Sequence, residues 1–395
     1  MKLDAGIAVV VASVLAMATA GCGDGTEPPR WAGPAPNAKP MSSGDAASVD
    51  RVARAALKRA NGPTPGMWIG IWHPRHGRHL SGYGEAIPPY EDATAADHGR
   101  IGGLAGTFVA TAVLRQVEEG RLSLDDTVAD VLPGLAESRP AIAAVTVERL
   151  LEMTSGVSDL GGSRPIVARV IDEVTDVLTV DEIVDVVLGD GRPDRPGYAE
   201  TGSLILGEML RRVTGDPLRH TVADLAREAG LDETALAPPG EIEMPEPFSH
   251  GYVERPGVEE LAALGLTIRL NADVLRWPAA WGGPAGSMYS TVGDLGEWAA
   301  TGFGTALLGE AIGRRRLRHR GAGGERGLGI ADLGHGWIGH VGSPLGWEAM
   351  ALYNVRTGAV AVAIVNEADS LVRAERVIET AFPDLRDRLP IAGRL

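Results

Sequence analysis

The chain has 395 residues, too many for one small hydrophobic core, so one large domain of two packed parts, or two domains, is expected. A formal net charge of -15 argues against the basic face that nucleic acid or anionic lipid requires, while 44% apolar and 23% charged residues fit an ordinary globular protein. The single cysteine, Cys22, excludes an intrachain disulfide and a cysteine-built metal site.

From Ile7 to Ala20 runs an apolar stretch too short to span a bilayer comfortably, and small residues then lead to Gly21-Cys22. This is the plan of an export signal. Its Thr-Ala-Gly-Cys end resembles a bacterial lipobox, in which the cysteine is lipidated and becomes the new N-terminus. The expected organisation is a signal peptide over 1–21, a lipidated Cys22 with a Pro/Gly/Ser-rich tether over 22–44, and a folded domain over 45–395. Cys22 would then hold the protein on the outer face of the cytoplasmic membrane.

The pattern turns helical from about Asp45, with apolar residues three and four apart up to Gly62. MWIGIW and HLSGYG read as strands of a hairpin joined through His73 to Gly77. TFVATAVLRQVEEG is apolar on most sides and predicts a buried helix. Thr146 opens another helix, Thr179 and Glu182 form a capping box, and a helix from Ser203 to Val213 closes at Thr214-Gly215-Asp216-Pro217. After about Ala285 strands return, with ALYNVRT and AVAVAIVNE as an antiparallel pair about Gly358, before a final helix in SLVRAERVIETAF. The layout is α+β: an antiparallel sheet built from both chain ends (45–100 and 285–395), flanked by helices, with a mostly helical part at 101–284.

Five stretches, in order, resemble landmarks of the serine β-lactamase and penicillin-binding family. They are RIGGLAGTFVATAVLRQVEEGRLSLDD, TVERLLEMTSGVSDL, PGYAETGSLILGEML, PAGSMYSTVGDLGEWA and GHVGSPLGWEAMALYNV. The resemblance covers nearly the whole chain beyond the tether and implies the family's transpeptidase-like fold. It also implies three motifs: Ser-x-x-Lys at the start of a buried helix, Tyr-x-Asn, and His-Thr-Gly on an edge strand.

The chain departs from each motif. Gly103 and Gly106 stand where the family has its serine and lysine, and no lysine follows Lys58. A serine hydroxyl needs a nearby base to act as a nucleophile, and serine and lysine three apart share one helix face. Both are missing. Tyr198 matches the second motif, but Glu200 replaces its asparagine, and a carboxylate only accepts hydrogen bonds. His340 and Gly342 match the third, with Val341 replacing threonine. The backbone N–H of Gly103 survives, and with it one donor of the family's oxyanion hole.

The candidate site is therefore a remnant cleft of Gly103, Gly106, Tyr198, Glu200, His340 and Gly342, with no cofactor and no metal expected. His73, His76 and His79 lie on one hairpin with no carboxylate cluster beside them, so metal binding is not expected there. The Arg314–Arg320 run reads as a solvated face, and Thr154 and Ser155 as turn caps. Two functions compete. One is a non-catalytic binding or regulatory lipoprotein for a small molecule or peptide of the cell envelope. The other is a working esterase or peptidase with chemistry from Tyr198, Glu200 and His340.

Overall fold

The computed structural model describes residues 39–58, 66–157, 163–172, 178–189, 200–238, 241, 243–253, 255–275, 287–304, 306–318, 327–367 and 371–382. Cys22, the expected signal peptide and Tyr198 lie outside them. The first helix, α1 (Ser43–Leu57), starts two residues earlier than the sequence pattern suggested, because Ser42 caps it by accepting from the Asp45 N–H at 3.1 Å.

A six-stranded sheet follows. Its N-terminal contribution is β1 (Met67–His73) and β2 (Gly77–Tyr83), with the short strands β3 (Glu85–Ile87), β4 (Glu91–Asp92) and β5 (Gly99–Arg100) outside it. Helices come next in the chain: α2 (Ala105–Glu118), α3 (Val128–Val131), α4 (Pro133–Ser138), α5 (Val147–Leu151), α6 (Arg164–Asp172), α7 (Val180–Gly189), α8 (Glu200–Thr214) and α9 (Leu218–Glu228). After β6 (Ala235–Leu236), α10 (Arg255–Ala263), β7 (Met288–Ser290), α11 (Val292–Gly302) and α12 (Glu310–Arg318), the chain returns to the sheet. It adds β8 (Ala331–Gly334), β9 (Trp337–Gly342), β10 (Glu348–Asn354) and β11 (Val360–Val365), and ends in α13 (Leu371–Ala381). The strand order is β2-β1-β11-β10-β9-β8, every neighbour antiparallel, so the N-terminal strands pair with the last strand of the C-terminal set.

Strands β1 and β11 are buried along their whole length, which explains their near-continuous apolar sequence: both faces are covered. Alternation sends Met67, Ile69 and Ile71 toward α1 and α13, and Trp68 and Trp72 toward the core beneath α11 and α2. A third cluster joins α2 to α5, α7 and α8 through Val109, Val113, Leu150, Val184, Leu204 and Ile205. The helix starts use the caps read from sequence. Thr146 Oγ1 accepts from the Arg149 N–H, and Thr179 and Glu182 exchange backbone-to-side-chain bonds at 2.8 and 3.3 Å.

One expectation fails. The arginine run does not lie wholly on a solvated face. Arg314 and Arg315 are exposed and pair with Glu310 and Glu148, but Arg316 is fully buried. Its Nη1 donates to Gly302 O (2.6 Å) and Thr111 Oγ1 (3.0 Å), and its Nε donates to Leu328 O (3.0 Å). Burial pulls its guanidinium down to about 9. The cation sits at the C-terminal end of α11, where carbonyls left over by the helix need donors. Among the described residues no helix is long and apolar enough to cross a membrane.

Candidate remnant active site

The site is assembled where the chain leaves β5 and enters α2 against β9. Arg100 is buried at the end of β5, and its Nη1 donates to Ser287 O at 3.1 Å. Gly102 then turns the backbone with φ +52°, a conformation that disfavours any side chain, and starts the 3₁₀ turn Gly102–Leu104 that leads into α2. A Cβ on Gly102 would lie 2.5 Å from Pro344 Cδ and 3.1 Å from Ser343 N. Across the gap, a Cβ on Gly342 would lie 1.9 Å from Ile101 O and 2.9 Å from Gly103 N. The two backbones therefore touch directly, and both glycines are required by that approach.

Strand alternation fixes what β9 presents. Ile338 belongs to the core under α2 and α11, and Trp337 and Val341 pack on the opposite side with α1 and α13. His340 and Gly342 share the Ile338 face, the same side of the sheet as Gly103. Strand β8 pairs with β9 only from Trp337 to Gly339, so the His340–Gly342 half has no β8 partner among the described residues. His340 is half-buried, with Nδ1 2.5 Å from the Val341 carbonyl oxygen.

Helix α2 is held rigidly below this crossing. Thr107 Oγ1 donates to Leu104 O at 2.7 Å and accepts from Trp298 Nε1 at 2.8 Å, while the Trp298 ring stacks on Phe108 at 3.6 Å. One turn further on, Thr111 receives Arg316. Gly106 faces α8: a Cβ there would meet Ser203 Oγ at 3.1 Å. Glu200 opens α8, three residues before Ser203.

Of the expected residues, Gly103, His340 and Gly342 come together on one side of the sheet, and Gly106 lies one turn along α2 toward α8. The sequence reading overlooked Ser203, although its spacing from Glu200 placed it on the same helix face. It also overlooked Ser343, whose N–H meets Gly102. Ser155 acts as a cap, accepting from the Val157 N–H at 3.3 Å. Among the described residues no three acidic, histidine or cysteine side chains form a metal-binding group. His76 contacts Asp45 at 3.1 Å, and His79 contacts Tyr83 Oη at 2.9 Å.

Chemically, the crossing offers backbone. Gly103 N–H lies just ahead of a helix N-terminus, where the helix dipole favours an oxygen or an anion. Neither Gly103 N–H nor Ser343 N–H donates a hydrogen bond among the described residues. Gly103 and Gly106 supply no side chain.

Known proteins share this architecture. Penicillin-binding protein 4 of Amycolatopsis lactamdurans is 33% identical over 157 residues, covering 38% of this chain and 39% of that protein. Esterase EstB of Burkholderia gladioli is 27% identical over 259 residues, 60% of this chain and 64% of that protein. The alignments thus span less than two-thirds of either relative. Among solved structures, a D-stereospecific amidohydrolase from Streptomyces sp. superposes with a TM-score of 0.67 at 25% identity, covering 85% of this chain and 98% of that one. The D-amino acid amidase of Ochrobactrum anthropi SV3, in complex with L-phenylalanine, gives 0.71 at 20% identity over 86% and 99% of the two chains. Residues 49–382 match the family described as Beta-lactamase, and with that match spanning the sheet, the helical part and the crossing at Gly342, the chain belongs to the Beta-lactamase family.

Proposed function

We propose that the protein is a catalytically silent member of this family, a lipoprotein of the cell envelope that binds a ligand in the remnant cleft and acts through that binding. The observation that carries this reading is the pair Gly103 and Gly106 at the nucleophile and base positions, with no lysine after Lys58 to substitute. The backbone crossing supports a retained binding role, because it keeps N–H donors at a helix start. Loss of the lysine ammonium, together with Glu200 in place of a neutral amide, disfavours anionic ligands. One unit charge at ~4 Å is worth ~1 kcal/mol in water and ~4 at an effective dielectric of 20. Neutral or cationic ligands should therefore bind better than their carboxylate counterparts. The D-stereospecific amidohydrolase among the neighbours suggests small amides as first probes.

Incubation with a reactive penicillin followed by intact-mass measurement tests the silent-site reading. The unmodified mass is the expected result, and a stoichiometric adduct on a serine refutes the reading. Metabolic lipid labelling tests the anchor: label should be lost in Cys22→Ala, and normal labelling of that variant removes the lipoprotein assignment.

A further inference from the structure

We propose that His250 is the nucleophile of a second reactive site, outside the remnant cleft, that takes an acyl group from neutral activated esters. Asp273 is its positioning residue. No residue of the cleft takes part, so the site stands apart from the silent-cleft reading.

The segment that carries His250 is held by backbone on several sides. The His250 N–H donates to Ala86 O at 3.1 Å, Gly251 O accepts from the Val274 N–H at 2.9 Å, and the Tyr252 N–H donates to Gly346 O and Asn366 O. Tyr252 stands opposite Asp273 in an antiparallel bridge, which puts their side chains on one face. His250, two residues earlier, shares that face. The intervening Gly251 is packed against Trp347, whose ring would lie 2.4 Å from a Cβ there.

Asp273 commits both oxygens to holding its place. Its Oδ2 lies 2.5 Å from His250 Nδ1, and its Oδ1 accepts from the Leu275 N–H at 3.0 Å. Burial raises the Asp273 carboxyl, but the His250 and Leu275 bonds outweigh it and hold it below the usual carboxylate value. An ionised carboxylate only accepts, so Nδ1 carries the ring proton and the lone pair sits on Nε2. Phe248 stacks on the ring at 5.6 Å, within 7° of parallel. The His250 side chain is 21% exposed, and its Nε2 makes no hydrogen bond among the described residues and is not a buried atom. This is a nucleophile oriented by a third group and left open at its reactive atom. Other histidines lack the combination. His98 has both ring nitrogens engaged, by Pro247 O and Glu233, and His79 Nε2 meets Tyr83 Oη. His76 pairs with Asp45 at 3.1 Å, but Ser42 Oγ donates to the same carboxylate oxygen.

The reaction balances without a cofactor. His250 Nε2 attacks the ester carbonyl carbon. An N–C bond forms as the C–O bond to the leaving group breaks, and that oxygen departs with the bonding pair. The ring keeps its Nδ1 proton, and Asp273 offsets the charge of the acyl-imidazolium. Water then cleaves the N–C bond, gives the free acid, returns the neutral ring and releases one proton to solvent. Aryl esters suit this step because their leaving oxygen is stable as an anion. Burial raises the Tyr252 phenol, and Asp273 and Glu85 push it further up, so the local field is negative and disfavours anionic esters.

The test is release of 4-nitrophenolate from 4-nitrophenyl acetate by the full chain at pH 7.5. His250→Asn keeps an N–H donor for Asp273 but removes the nucleophile, and should lower the rate about tenfold. His76→Ala should leave the rate unchanged. Asp273→Asn presents a donor to Nδ1, so nitrogen-15 NMR should show the ring proton moving from Nδ1 to Nε2 while the rate falls. An unmoved ring proton in that variant removes Asp273 as the positioning residue. In the parent protein, brief treatment with diethyl pyrocarbonate and peptide mapping should find His250 modified ahead of His76, with the esterase rate falling in step; this measurement needs no variant to fold. A parental rate in folded His250→Asn, or a rate that survives complete modification of His250, overturns the site.

Discussion

On the β9 side of the cleft, Gly342 occupies a place where any added carbon runs into the backbone of the opposite segment, 1.9 Å from Ile101 O. On the α2 side, Gly106 has one described neighbour at 3.1 Å, the rotatable end of a serine. The first glycine is imposed by packing; the second is not. The fold needs the glycine at the crossing, and it does not need the one on the helix.

Substitution should separate the two sides. Gly342→Val forces the 100–104 segment away from β9 and should cost more than about 4 kcal/mol, read by urea unfolding or as loss of soluble protein. A variant of parental stability would mean that the two segments do not touch. Arg316→Ala should follow at about 3 kcal/mol, since it leaves a cavity and strips donors from Gly302 O and Leu328 O. Its exposed neighbour Arg315, paired with Glu148, should change stability by less than about 1 kcal/mol on the same substitution. Equal effects at the two arginines would contradict the burial of Arg316.

A finer contrast lies within the helix start. Gly102→Ala should destabilise by about 1–3 kcal/mol, because its φ is +52° and Pro344 is in the way. Gly106→Ala should be neutral or stabilising by up to about 1 kcal/mol, the ordinary gain of replacing glycine in a helix. The same sign at both positions would remove the distinction between the two glycines.

The smallest effect concerns pH. Burial lowers the pKa of His79 from its usual 6.5, opposed by the Asp50 carboxylate 3.5 Å away. The folded state thus prefers the neutral ring, and the unfolded chain binds more protons. The contribution is fully present above about pH 6.5 and is lost as pH falls through the lower, folded value. His79→Gln should flatten the loss of thermal stability between about pH 7 and 5. An unchanged slope would remove His79 as its source.

Much of this organisation is legible in the sequence because it follows from periodicity and punctuation. The β1–β2 hairpin, the β10–β11 pair about Gly358 and the Thr179–Glu182 capping box are all local patterns. So is the burial of α2, apolar on nearly every side. The failures are long-range. Nothing local marks Arg316 as different from Arg314 and Arg315, because its burial depends on Thr111 and Gly302, far away in sequence. Ser203 likewise matters only because α8 happens to face Gly106, a contact that helix packing decides.

The entry point of the chain has a practical consequence. Pro40 bridges to Arg78 and the Met41 N–H donates to Arg78 O, so the described chain begins along β2, the outermost strand. Strand β9 lies four strands away, about 19 Å at ordinary strand spacing, and its cleft residues face the side of the sheet opposite α1. A probe attached at Lys39 itself therefore reports on the β2 edge, and labelling there should leave the Gly103–Gly342 crossing undisturbed.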